Sequence, residues 1–213
     1  LTELIESNKV SQIIEIAAGL SPRGSRFVEK YGDRITYIEA DLPAMVAQKK
    51  KLLSTRLRAC PNHHVKVVDA FAEHGAHSLD GLTMQLDPGK GLVIVTEGLL
   101  NYFDRDSVLN LWARISKTLV GFKEGAYLSD IHLQAQNADP IAQVFVAGLG
   151  IFVRGKVYLH FETAGHLQLA MEELGLACQV LRPSDYASEI PACGAKGADF
   201  CRVLFARPAS AVK

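Results

Sequence analysis

The chain has 213 residues, 23 Lys plus Arg against 23 Asp plus Glu, and is 48% hydrophobic. That balance, with no long basic stretch, excludes a nucleic-acid partner held mainly through its phosphates, while the apolar fraction suffices for the core of one domain spanning 1–213. The four cysteines (Cys60, Cys178, Cys193 and Cys201) form no Cys-x-x-Cys pair, and the longest apolar run, 144–153, is too short to span a bilayer. Neither a metal site, a disulfide framework nor a membrane partner is therefore expected, and the thiols suit a reducing, cytoplasmic compartment.

Residues 2–8 read as the end of a helix, and the first residue is Leu rather than Met. Ile13, Ile14 and Ile16 make a β-branched run for one buried strand, with Glu15 inside it. Ala17, Ala18 and Gly19 follow as a small-residue turn where a ligand can approach the backbone. A short helix is expected over 25–31 and a second strand over 35–38. Pro43 then opens a helix over 43–57, with Asp41 placed to cap it. Lys49, Lys50 and Lys51 read as the solvated face of that helix. A third strand over 65–68 ends at Asp69, and a weaker helix spans 78–86. The fourth strand, 92–96, ends in Glu97-Gly98.

The next helix carries one apolar stripe, Val108, Leu111, Trp112, Ile115 and Leu119, with Asp104 or Asp106 as its cap. A fifth strand over 126–131 precedes an insertion at 132–161. An amphipathic helix over 162–174 and two late strands, 177–181 and 202–206, complete the chain. This alternation predicts an α/β fold: a doubly wound, mostly parallel seven-stranded sheet with helices on both faces, Rossmann-like.

Four successive strands end in an acid: Glu15, Asp41, Asp69 and Glu97 all fall at or just past a carboxyl end, which predicts one shared crevice. An acid after the second strand can accept both hydroxyls of a ribose, one after the third an adenine amino group, and one after the fourth can face an ammonium. A ligand with those parts and no phosphate is S-adenosylmethionine. A nicotinamide cofactor would also use Asp41. Its Gly-x-Gly-x-x-Gly frame, however, reads Ala17-x-Gly19-x-x-Pro22 here, and Pro removes an N–H where a pyrophosphate needs one.

These residues carry a resemblance. Residues 17–26, Ala-Ala-Gly-Leu-Ser-Pro-Arg-Gly-Ser-Arg, resemble the Gly-x-Gly-Leu-Asp-Thr-Arg-x-x-Arg turn of class I S-adenosylmethionine-dependent methyltransferases of the leucine carboxyl methyltransferase type, a group that includes polyketide O-methyltransferases. Residues 37–43, Tyr-Ile-Glu-Ala-Asp-Leu-Pro, with Lys49 further on, are similar to its Glu-x-Asp-Leu-Pro and following lysine. Residues 97–102, Glu-Gly-Leu-Leu-Asn-Tyr, resemble its Glu-Gly-Leu-x-x-Tyr. Ser21-Pro22 and Ala70-Phe71 depart from the family's Asp-Thr and Leu-Arg. The resemblance implies S-adenosylmethionine as cofactor, with Glu15, Ala17, Gly19, Arg23, Asp41, Asp69, Ala70, Glu97 and Gly98 around it. A helical segment that the family carries before the first strand is expected outside these residues, or replaced by another cover.

The expected reaction is transfer of the sulfonium methyl to an oxygen of an acceptor, most simply a small molecule, with a protein C-terminal carboxylate and a homodimer left open. A non-catalytic nucleotide-binding protein and a nicotinamide oxidoreductase are the alternatives. Tyr102 is expected near the methyl or the acceptor. His132, just past the fifth strand, is the first candidate for a base toward a hydroxyl acceptor, ahead of His160 and His166; a carboxylate acceptor needs no base. The apolar stretch 140–161, with Phe145 and Phe152, is expected to line or cover the acceptor pocket.

Overall fold

The computed structural model describes residues 1–56, 60–135 and 157–209. The chain falls into two compact units, residues 1–97 with 114–127, and residues 98–113 with 128–213.

The first unit is built on β1, Gln12–Ile16, flanked in parallel by β2, Thr36–Asp41, and by β4, Leu92–Thr96. β3, His63–Val67, pairs in parallel with the outer side of β2. Ile13, Ile14, Leu92, Val93 and Ile94 have no exposed surface, as unbroken β-branched and leucine runs covered on both faces require. Among the described residues, the helices lying wholly in this unit are α1, Thr2–Glu6; α2, Arg23–Tyr31; α3, Pro43–Arg56; and α4, Leu79–Thr83. α2 and α3 both pack on β2 and β3. Ser78 caps α4, its hydroxyl accepting the Gly81 N–H.

Helix α5, Arg105–Val120, and strand β5, Gly125–Ile131, run through both units. The stripe expected on α5 is its buried face, since Val108, Leu111, Trp112, Ile115 and Leu119 have no exposed surface. Of its two candidate caps Asp104 is the one used, accepting the Ser107 N–H at 2.9 Å. In the second unit α6, Ala164–Glu173, packs on β6, Leu176–Leu181, which runs antiparallel to β7, Arg202–Pro208. Thr163 caps α6 by accepting the His166 N–H. Trp112 stacks on Phe161, with centroids 5.7 Å apart.

The strand order is β3-β2-β1-β4-β5-β7-β6. It reverses between β1 and β4, the topological switch point at which open α/β sheets present the carboxyl ends of their strands to ligands. Among the described residues no helix is long and apolar enough to cross a membrane.

Two expectations about the second strand and the helix after it are corrected. Asp41 does not cap α3: it is the last residue of β2, and the N–H groups its carboxylate accepts are those of Gly19 and Leu42, neither within the helix. Lys49 does not belong to a solvated face. It is 4% exposed and ion-paired to Glu39, while Lys50 and Lys51 are exposed.

Candidate functional site

The loop leaving β1 is left-handed at two places. Ala17 has φ 55°, a conformation an alanine adopts at a cost, and Gly19 has φ 51°. The Ala18 N–H donates to the Ala40 carbonyl, tying the loop to β2. Asp41 ties it a second time: its Oδ2 accepts the Gly19 N–H at 2.7 Å and its Oδ1 accepts the Leu42 N–H at 2.7 Å. Beside Gly19 there is open space, with no atom within 4 Å of where a Cβ would stand. A carboxylate fixed by two backbone donors therefore stands beside a glycine with open space next to it.

The other polar group here is Arg23, the first residue of α2. Its Nη1 donates to Glu15 Oε1 at 2.5 Å and its Nη2 pairs with Glu97. Glu15 is 2% exposed, and its second oxygen accepts the Tyr37 hydroxyl at 2.6 Å. Burial raises the Glu15 carboxyl above its ordinary range, opposed by the Tyr37 hydrogen bond and the Arg23 charge. Of the four acids expected to face one crevice, Glu15 thus reaches it only through Arg23, whereas Glu97 is exposed. Asp69 is exposed two residues beyond β3, and its Oδ1 accepts the Phe71 N–H at 2.9 Å across the half-buried Ala70.

Behind the loop lies a group whose mutual pairing the sequence did not indicate. Glu39 is buried at 1% exposure, with Lys49 Nζ 2.7 Å from its Oε1 and His63 Nε2 2.9 Å from its Oε2. The lysine contact is a close ion pair rather than an aligned hydrogen bond. A carboxylate partner requires the proton on His63 Nε2. The available signal was the spacing of Glu39 and Asp41, two residues apart on one strand and so on one face.

In the second unit Gly98, at φ 61°, donates its N–H to Asp130 Oδ1 at 2.8 Å, so Asp130 is a further acid at a strand end that the sequence did not single out. Tyr102 closes a 3-10 turn, Leu100–Tyr102, and is half-buried. The side chain of Asn101 holds both backbone groups of His132: Oδ1 accepts its N–H at 3.0 Å, and Nδ2 lies 3.4 Å from its carbonyl. His132 Nδ1 is 2.9 Å from the Phe200 carbonyl, which can only accept; a neutral ring therefore carries its lone pair on Nε2. His160 turns Nε2 toward the Phe103 carbonyl at 2.5 Å, and burial lowers its pKa. His166 is exposed, 3.9 Å from Glu162. Most of the apolar stretch expected over the acceptor, including Phe145 and Phe152, lies outside the described residues.

Arg23 and Glu97 thus pair one cation with one exposed anion, and Asp41 keeps lone pairs beyond the two it gives to backbone N–H groups. The leucine carboxyl methyltransferase family matches residues 1–116. No curated protein matches the chain in sequence. Solved structures similar in fold include PigF with SAH (TM-score 0.64, 12% identity, 97% of this chain and 53% of that one). The mitomycin 7-O-methyltransferase MmcR is similar too (0.60, 14%, 94% and 50%), as is human N-acetylserotonin methyltransferase in complex with SAM (0.61, 13%, 97% and 51%). The chain spans about half the length of these structures, and the likeness establishes a Rossmann-like methyltransferase fold.

Proposed function

The chain belongs to the leucine carboxyl methyltransferase family, and from that membership we propose that it transfers the methyl group of S-adenosylmethionine to an oxygen, carboxylate or hydroxyl, of a small-molecule acceptor. The observation that carries this reading is the Asp41 carboxylate, braced by the Gly19 and Leu42 N–H groups at the edge of open space. In this reading Asp41 holds the ribose hydroxyls, Arg23 the methionine carboxylate and Glu97 the methionine ammonium, while Asp69 and Ala70 border the adenine. Ala17, Gly19 and Gly98 are the turns that let the backbone come close.

S-adenosylmethionine supplies a methyl group on a positively charged sulfur, already activated for transfer. The protein's part is then mainly to orient, an effect that accounts for roughly 7–11 kcal/mol of barrier in well-placed reactants. With a hydroxyl acceptor, His132 Nε2 takes the proton and Tyr102 lies beside the acceptor. With a carboxylate acceptor no base is required.

Calorimetry tests the reading. S-adenosylmethionine and S-adenosylhomocysteine bind and NADH does not; binding of NADH alone would overturn it in favour of an oxidoreductase. Methyl transfer to candidate acceptors then separates an enzyme from a nucleotide-binding protein. A rate that rises through one ionisation between about pH 6 and pH 9 and is lost in His132→Ala assigns a hydroxyl acceptor; a flat profile with an active variant assigns a carboxylate.

A further inference from the structure

Parallel pairing sets Glu15 of β1 directly beside Glu39 of β2. The two buried carboxylates, 2% and 1% exposed, lie on neighbouring strands about 4.8 Å apart and must each be neutralised. Each has its own cation. Glu15 has Arg23, with the Tyr37 hydroxyl on its other oxygen. Glu39 has Lys49, with His63 on its other oxygen. Arg23 alone of these cations also pairs with the exposed Glu97, so only the Glu15 half of the arrangement is linked to an exposed acid.

The Glu39 half touches α2 instead. A Cβ on Gly24 would stand 2.7 Å from the Glu39 carboxyl carbon and Oε1, and 2.8 Å from His63 Nε2. The backbone of the first turn of α2 therefore rests directly on the Glu39–His63 pair, and the residue before Gly24 in that turn is Arg23. The side chains of this set come from three elements: Glu39 from β2 and His63 from β3, both against Gly24, and Lys49 from α3, against Glu39.

We propose that Glu39, held by Lys49 and His63, is a positioning residue for Arg23, seating the first turn of α2 at the height from which the guanidinium meets the methionine carboxylate of the cofactor. The inference rests on the reading of the crevice as an S-adenosylmethionine site and assigns a function to residues that touch no ligand. Removing one charge of the buried set lets the seat relax. Arg23 then moves against Glu15, and affinity falls although every cofactor contact is still encoded.

The test is S-adenosylhomocysteine binding by calorimetry, paired with thermal melting, on Glu39→Gln, Lys49→Met, Lys49→Arg and Gly24→Ala. Leu92→Ala, at the amino end of β4, serves as a stability control away from the crevice. Glu39→Gln and Lys49→Met are expected to bind about tenfold more weakly, equivalent to about 1.4 kcal/mol. Lys49→Arg is expected to restore most of the affinity, and Leu92→Ala to melt earlier yet bind as the wild type does. Gly24→Ala keeps every charge and lifts the turn by one methyl group, so it is expected to weaken binding even if the charge variants fail to fold. Folded variants, Gly24→Ala included, that melt earlier but keep wild-type affinity would overturn the proposal and leave the set a purely structural one. A wild-type protein that does not bind S-adenosylhomocysteine would sink the crevice reading itself and this inference with it, a result distinct from unchanged variants of a protein that binds.

Discussion

A carboxylate offers about four lone-pair directions, and Asp41 gives two of them to the N–H groups of Gly19 and Leu42. The remaining two suit a diol. Asp41→Asn removes the charge and one acceptor, and losing a charge-assisted hydrogen bond costs about 1.5–3 kcal/mol, so S-adenosylhomocysteine affinity is expected to fall roughly ten- to hundredfold in calorimetry. Unchanged affinity would leave Asp41 as a brace of the loop and nothing more. Ala17 supplies a second residue-level expectation. It holds φ 55°, where an L-residue is disfavoured by roughly 1–2 kcal/mol and glycine is not. Ala17→Gly also frees the unfolded chain, which takes back about half of that gain. The net expectation is a stabilisation of about 1 kcal/mol or less, read from denaturant midpoints, and a loss of stability would show that the alanine methyl packs usefully. Neither the φ of Ala17 nor the pairing of Asp41 with Gly19 is written in local sequence, because both depend on the neighbouring strand.

Elements whose signals are local were legible. β4, Leu-Val-Ile-Val-Thr, has the bounds expected of it, and the five-residue stripe of α5 is buried throughout. What local pattern could not supply is which of three consecutive lysines turns inward. Successive helical residues differ by about 100°, and Lys49 is selected by Glu39, ten residues earlier on β2. β3 begins at His63, two residues before the apolar pattern starts, because His63 pairs with Tyr37 rather than because histidine favours strands. Asn101 was read only as part of a motif. In the structure its side-chain amide joins three segments, accepting the His132 N–H and donating to the Tyr158 carbonyl at 2.6 Å, while the backbone carbonyl of Asn101 accepts the Tyr158 N–H at 2.7 Å. Asn101→Asp keeps the acceptor and loses the donor, turning an anionic oxygen toward the Tyr158 carbonyl. A destabilisation of about 1–3 kcal/mol is expected in urea unfolding, with S-adenosylhomocysteine affinity little changed. Wild-type stability would mean that the segment at Tyr158 is held by other contacts.

Taken whole, the molecule balances 23 cationic against 23 anionic side chains, with a pI near 7.2. Repulsion between copies is then weakest near neutrality, and solubility in polyethylene glycol is expected to be lowest close to pH 7 and to rise on both sides; a flat curve would point to apolar contacts as the cause of association. The strand order could be anticipated as a class but not in detail, since alternation of strands and helices predicts parallel pairing while leaving the neighbours of each strand open. The acids marked the carboxyl ends, and the reversal between β1 and β4 explains why those ends matter. The side-by-side placement of Glu15 and Glu39 has a consequence for how the chain folds. Parallel apolar strands such as Ile13–Ile16 and Leu92–Val95 could mate in several alignments with similar gain. Sliding β1 by one residue carries Glu15 to the opposite, hydrocarbon side of the sheet, stranding its charge away from Arg23 and Tyr37. The misaligned chain is thus penalised by a stranded buried charge, and Glu15 and Glu39 together act as a key admitting one alignment of β1 on β2 during assembly.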